Sequence, residues 1–571
     1  MIKLSTITLL ALAGSLMLVG CGGTSTTDTS TETTSSSSTT NENTTSSPVV
    51  QLTQDEVESH SLGSASQIDA RIEVPQDTST NLYLLLSNKD SASESVTIES
   101  SYAKESTPLA KAFAKRLEAE AKEGIRPTPS SIQEDNHRAI EHLLKRERAE
   151  KVTATPLVQK EVGDSTSFSM NTTGSVTTEA TLRYQVAKVQ TEWGEKTLNV
   201  WVSNDAFEGE DCTKSKCVTE DMVEAFAQTF LADGSDNDIY DWVTNIFGAE
   251  WGAEANGYSD LIPESDEITI LLTDIDNDDN PSGGTIGYFW SKDNFTKDSI
   301  AGSNEQIMFY ADSVMFANEE EGDYWQKEMY STLAHEFQHM IHFYQKSVVL
   351  GKSDDVWINE MLSETVEDAI ATKIEHTGPR GVDYTDGSAG SPENSDGRYP
   401  LFNAYNYLSL TTWSNSLTDY SKVNAFGTFL IRNYGGVEVL HNILYSQKEH
   451  SDAVEEATGR SFETLLKEWG EAVMLSDHTD LPEGVPSYNR GAFIEDTYNG
   501  ITYALGSINF YNYVWLDREG SVLQEGPYFS SPSEVVNQTS NRYYLIGTNV
   551  DKDVSLELSL NGLTEATVLA K

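Results

Sequence analysis

Cysteine is almost absent from this chain, with three in 571 residues, at positions 21, 212 and 217. That excludes a small disulfide-built scaffold and a four-thiolate metal cluster. Basic residues are also scarce: 38 Lys and Arg stand against 90 Asp and Glu, a formal net charge of −52. So acidic a chain repels nucleic-acid phosphates and anionic lipid, and neither is expected as a partner. Long apolar runs are missing beyond the N-terminus. Ile7 to Val19 is mostly apolar but too short to span a bilayer, and no later segment approaches the length that would. The chain is too long for one core, which predicts several domains.

Lys3 followed by the short apolar stretch predicts a signal peptide over residues 1–20. Leu18-Val19-Gly20-Cys21 resembles the bacterial lipobox, which implies lipidation of Cys21. The protein is then expected at the bacterial cell envelope or surface, facing outside the cytoplasm and touching membrane only through that anchor. Residues 21–48, rich in Ser and Thr, read as a flexible tether. Cys212 and Cys217 remain as a pair in an oxidising compartment, where a local disulfide is expected across Thr-Lys-Ser-Lys. Zinc binding by this pair is disfavoured, because no further Cys completes such a site.

The pattern predicts a multidomain α+β protein. Residues 49–194 read as an N-terminal β-rich, sandwich-like domain, with strand signals at 70–74, 83–87 and 96–99. It carries a helical insertion over about 107–152. Helices are expected at 108–123 and 133–151, separated by Gly124, Pro127 and Pro129. Residues 104–160 hold 12 of the 38 basic residues. The insertion is either an ordinary solvated element or a regulatory pro-segment docked on the acidic remainder. Residues 195–480 form the next domain, with strands at 197–203, 267–273 and 306–310 and helices over 219–256 and 422–475. Residues 481–571 read as a terminal β domain, rich in Tyr, Val, Phe and turn residues.

The chemistry lies in His335-Glu-Phe-Gln-His339 and Asn359-Glu-Met-Leu-Ser-Glu364. A helix from Tyr324 to about Tyr344, capped by Asp323, puts His335 and His339 four residues apart on one face. Two imidazoles so placed can share one zinc ion. Glu336, one position round the helix, can take a proton from water and pass it to a leaving amine. Gly351 stops this helix, and Asp354 or Asp355 caps a second one beginning near Val356. A helical hairpin then returns Glu360 as third ligand. Glu364 and Asn359 are candidates for orienting the histidines through their free ring nitrogens.

These two motifs resemble the gluzincin pattern of HExxH, a gap, then Asn-Glu-x-x-Ser-Asp. The resemblance implies a gluzincin-like metalloprotease domain in which His335, His339 and Glu360 bind Zn2+ and Glu336 is catalytic. Glu364 departs from the family's Asp. Leu333-Ala-His-Glu-Phe-Gln-His-Met-Ile, Trp357-Ile-Asn-Glu-Met-Leu-Ser-Glu, Gly287-Tyr-Phe and Ser303-Asn-Glu are most similar to the hyicolysin-type bacterial peptidases, over roughly residues 195–475. Related gluzincin aminopeptidases carry a Tyr-x-Lys helix, which points to Tyr420 as the oxyanion donor, with Tyr344, Tyr405 and His441 as competitors. The Gly-x-Met-Glu-Asn motif of those exopeptidases is absent, which favours endopeptidase action on protein or peptide substrates. Thr285–Trp290 is expected as the edge that pairs with substrate.

Two further expectations concern metals. His342 lies near the face of the other histidines but is expected as a packed residue. Asp274, Asp276 and Asp278 alternate in a carboxylate loop suited to Ca2+, without the EF-hand pattern. The competing functional class is a cell-surface binding protein or adhesin with a degenerate peptidase module, kept open by the β domains.

Overall fold

The computed structural model describes residues 44–102, 125–145 and 160–571, apart from positions 56, 518, 533 and 534. The signal peptide, Cys21, the tether up to residue 43, the helix expected at 108–123 and the end of the one expected at 133–151 lie outside the described residues.

Strand Gln67–Glu73 alternates strictly, burying Ile68, Ala70 and Ile72. Its antiparallel neighbour Val554–Ser559 buries Val554, Leu556 and Leu558 in register with them. A second sheet runs Ser540–Val550, Thr80–Asn88, Thr564–Ala570, Glu58–Gly63. Leu82, Leu84 and Leu86 meet the first sheet across one shared core. Tyr83 and Leu85 face the other way, into the main core. Burial on both faces explains the unbroken apolar run of this strand.

The β-rich N- and C-terminal domains expected over 49–194 and 481–571 are therefore not separate, because strands from the two ends of the chain pair in both sheets. Alternation reports a half-buried strand but not its partner. Residues 494–505 of the expected terminal domain form a hairpin that packs elsewhere, with Tyr503 donating to the Trp242 carbonyl. The tether also ends early: Thr45–Ser46 pairs in parallel with Gln67 and Ile68.

A six-stranded mixed sheet carries the site. Its order is Gly287–Phe289, Ile307–Asp312, Glu267–Thr273, Gly194–Ser203, Thr177–Thr191, Ser165–Ser169. Glu267–Thr273 lies between two parallel neighbours and is buried along almost its whole length, as its apolar run requires. Gly287–Phe289 is the edge, antiparallel to Ile307–Asp312. Against this end packs helix Tyr324–His342, whose Phe337 meets Phe230, Tyr240 and Phe309. Helices Val356–Ile370 and Leu417–Asn433 complete the frame. Gly427 lets these two approach closely, since a methyl there would strike the Thr365 hydroxyl. No helix among the described residues is long and apolar enough to cross a membrane.

Candidate active site

Helix Tyr324–His342 forms without the expected cap: Asp323 makes no cap hydrogen bond and instead pairs with Lys327 at 3.1 Å. After His342 the helix widens into a π-turn over Phe343–Val349. His342 and Lys346 each lie 3.3 Å from the buried Asp354 carboxylate. Asp354 is thus drawn inward and caps nothing, and Asp355, at the N-cap of Val356–Ile370, makes no cap bond either. The turn between the helices rests instead on Gly351, at φ +66°.

The hairpin brings three ligand atoms together. Glu360 Oε2 lies 3.3 Å from His335 Nε2 and 3.4 Å from His339 Nε2, and all three side chains are buried. A tetrahedral ion with bonds of about 2.0–2.1 Å holds its ligand atoms about 3.3–3.4 Å apart. Glu360 Oε2 makes no hydrogen bond. A buried carboxylate oxygen so placed fits a metal, and two imidazoles with one carboxylate fit zinc. Burial alone would raise the Glu360 carboxyl, but His339 and His335 hold it down at about 2. Among the described residues, two groups of three acidic or histidine side chains are close enough to share an ion, and both contain His335.

Glu336 sits beside this cluster. Its Oε2 accepts the Phe289 N–H at 2.7 Å, which ties it to the edge strand. Burial pushes its carboxyl up, against the pull of His335 and His339. Gly287 makes the close approach possible: a Cβ there would lie 2.9 Å from Thr332 Cγ2 and 3.0 Å from the Tyr310 carbonyl.

Tyr420 enters from helix Leu417–Asn433, whose start is fixed by the Asp419 carboxylate accepting the Ser416 N–H at 3.0 Å. Its hydroxyl lies 3.5 Å from Glu360 Oε1. Burial, reinforced by the Glu360 charge, raises the phenol well above its usual range, so it stays a donor. Among its competitors, Tyr344 packs on Trp251 and His441 donates to the Ile246 carbonyl.

The partners of the histidines differ from those expected. His335 Nδ1 donates to Glu367 Oε1 at 2.8 Å, and Ser331 donates to the other oxygen at 2.6 Å. His335 holds Glu367 below the usual carboxylate range despite its burial. Glu364, expected in that role, is instead gripped by Arg398 through two hydrogen bonds of 2.7 and 3.0 Å. Arg398 presents a fork that a carboxylate matches with both oxygens, and His335 Nδ1 is already taken by Glu367. Asn359 Oδ1 and His339 Nδ1 make no hydrogen bond, so Asn359 is not joined to either histidine through that oxygen. Glu367 lies on the helix face of Glu360 and Glu364, and that spacing was its only trace in the sequence. Replacing Glu367 with Ala is expected to weaken metal affinity about 10–100-fold with the fold intact, measured by competition with a chelator of known affinity.

The three carboxylates of the acidic loop are not among the groups of described residues close enough to share an ion. Asp274 pairs with Lys214 at 2.8 Å, Asp276 accepts the Thr285 N–H at 2.9 Å, and Asp278 lies 3.4 Å from Arg126. Each of these carboxylates thus has a partner on the chain. Cys212 and Cys217 are joined in a disulfide.

The Peptidase M30 family model matches residues 175–477, which is 303 of 571 residues. The neutral metalloprotease ShpI of Staphylococcus hyicus is 25% identical over 297 residues, which cover 51% of this chain and 56% of that protein. This chain thus spans little more than half the length of the curated relative it matches. The matched span contains the sheet edge, the helical hairpin and the Tyr420 helix, and on that match the chain belongs to the Peptidase M30 family.

Proposed function

We propose that this protein is a zinc-dependent endopeptidase of the bacterial cell envelope, anchored through lipid at Cys21, that hydrolyses peptide bonds in extracellular proteins. The observation that carries the reading is the convergence of His335 Nε2, His339 Nε2 and Glu360 Oε2 beside the Glu336 carboxylate. ShpI, named a neutral metalloprotease, supports it. His335, His339 and Glu360 would hold the ion, which supplies a Lewis acid for the scissile carbonyl and lowers the pKa of a water molecule.

The chain's own residues do the rest. Glu336, buried and with its carboxyl raised, takes the proton from the attacking water and returns it to the leaving amine. The Tyr420 hydroxyl, kept protonated by burial, donates to the carbonyl oxygen as charge develops there. Phe289 N–H fixes the Glu336 carboxylate, and the strand bearing it offers an edge to an extended substrate. Glu367 fixes the His335 tautomer by accepting from Nδ1, which directs Nε2 toward the ion. The adhesin reading requires a degenerate site, whereas the side chains expected from the two motifs meet in one buried cluster.

Hydrolysis of unfolded casein by the full chain tests the proposal. Activity is expected to vanish with a zinc chelator and return with zinc. Activity that persists after the metal has been stripped would contradict it.

A further inference from the structure

Helix Ser130–Leu144 and the short strand Ile125–Arg126 before it lie over the site just described. Gln133 Nε2 donates to Glu360 Oε1 at 3.0 Å and to the Tyr420 hydroxyl at 3.2 Å, while its Oε1 accepts from the Trp413 indole at 3.2 Å. One carboxamide therefore contacts both the carboxylate of the ligand cluster and the expected oxyanion donor.

The next turn of the helix does something similar at the sheet edge. Asn136 Nδ2 donates to the Phe289 carbonyl at 3.0 Å, and its Oδ1 accepts the Ser291 N–H at 2.8 Å. The carbonyl of one residue and the N–H of the residue two further on are the pair that a neighbouring parallel strand engages through a single residue. The Asn136 amide thus stands in for a peptide unit on the outer side of the edge strand. Ile125–Arg126 pairs in parallel with Gly284–Thr285 further along the same chain segment. Between these contacts runs Pro127-Thr128-Pro129, whose proline nitrogens carry no N–H and keep the preceding residues extended. Arg126, Pro127 and Thr128 wall one cavity together with His335, Glu336 and Tyr420.

We propose that residues 125–144 are a built-in occupant of the peptide cleft that holds the full chain to a low basal activity until the segment is displaced or cut. The proposal rests on the peptidase reading above. Its geometry is that of a competitor: it uses the edge and the Tyr420 hydroxyl that a substrate would need, and it contacts the Glu360 carboxylate of the ligand cluster. The segment is held by buried Ile132, Ala139 and Leu143, by His142 at 3.0 Å from Asp260, and through the Asn415 amide donating to the Thr128 carbonyl at 2.9 Å. Arg126 reaches Asp276 and Asp278 at 3.6 and 3.4 Å while half exposed, where ion pairs contribute little.

The test uses the full chain as wild type, Gln133→Ala/Asn136→Ala and Arg126→Glu, each loaded with zinc. The rate of zinc loss to 1,10-phenanthroline and the rate of casein hydrolysis are measured beside the melting temperature. Both rates are expected to rise about tenfold or more in the double variant, as lost hydrogen bonds of ordinary strength allow, and a synthetic peptide of residues 125–144 should reverse the gain in hydrolysis. Arg126→Glu sets a third carboxylate against Asp276 and Asp278 at an exposed position, so it carries the test if the double variant melts early. Zinc loss and hydrolysis no faster than wild type in folded, zinc-loaded variants would overturn the restraint alone. A wild-type chain that binds no zinc would instead sink the peptidase reading, and the restraint with it.

Discussion

Glu336→Gln is expected to lower kcat for peptide hydrolysis by about 10²–10⁴-fold while leaving zinc bound at one per chain. The substitution keeps the shape of the side chain and an oxygen that can accept the Phe289 N–H, now seen at 2.7 Å. What it removes is the site for a proton. Burial raises the natural carboxyl, against the pull of His335 and His339. Metal content stays because Glu336 is not among the three converging ligand atoms. Steady-state kinetics with metal analysis on the same sample would check both halves. A loss of zinc alongside the loss of rate would show that Glu336 helps to hold the ion rather than to move the proton.

His339→Ala is expected to abolish both zinc binding and activity. The affinity loss should exceed the about 10–100-fold set for Glu367, because a bond to the ion is removed rather than an orienting hydrogen bond. Buried Glu360 also loses one of the two imidazoles that hold its carboxyl down. The chain is therefore expected to melt earlier, with a stability loss below the about 3–5 kcal/mol of a buried pair cut completely, because His335 still faces Glu360. Equilibrium dialysis against zinc, together with a thermal melt, reads both effects. Wild-type zinc affinity in this variant would mean that the ion sits elsewhere.

The sequence made some of this legible and hid the rest for identifiable reasons. Fixed helical spacing places His335, Glu336 and His339 before any fold is known, because four residues nearly complete a turn. The run Glu267–Thr273 could be read as a buried strand on length and β-branching alone. The joint sandwich could not be read, because alternation in Gln67–Glu73 and Val554–Ser559 is local while their pairing joins the chain's two ends. Glu364 was misassigned for a similar reason. It shares a helix face with Glu360 and Glu367, and only the position of Arg398 decides which carboxylate is left for His335. The caps failed because side-chain partners compete for the carboxylates, with Asp354 drawn to His342 and Lys346 and Asp323 to Lys327. Gln133 and Asn136 gave no signal at all: polar residues on a charged helix look solvated until the edge strand is seen beneath them.

Zinc K-edge X-ray absorption on the purified full chain tests the central claim most directly. Two imidazole ligands with oxygen completing the shell, at one zinc per chain, is the expected spectrum for His335, His339 and Glu360. A spectrum without imidazole scattering, or a chain that retains no zinc after dialysis, would contradict it.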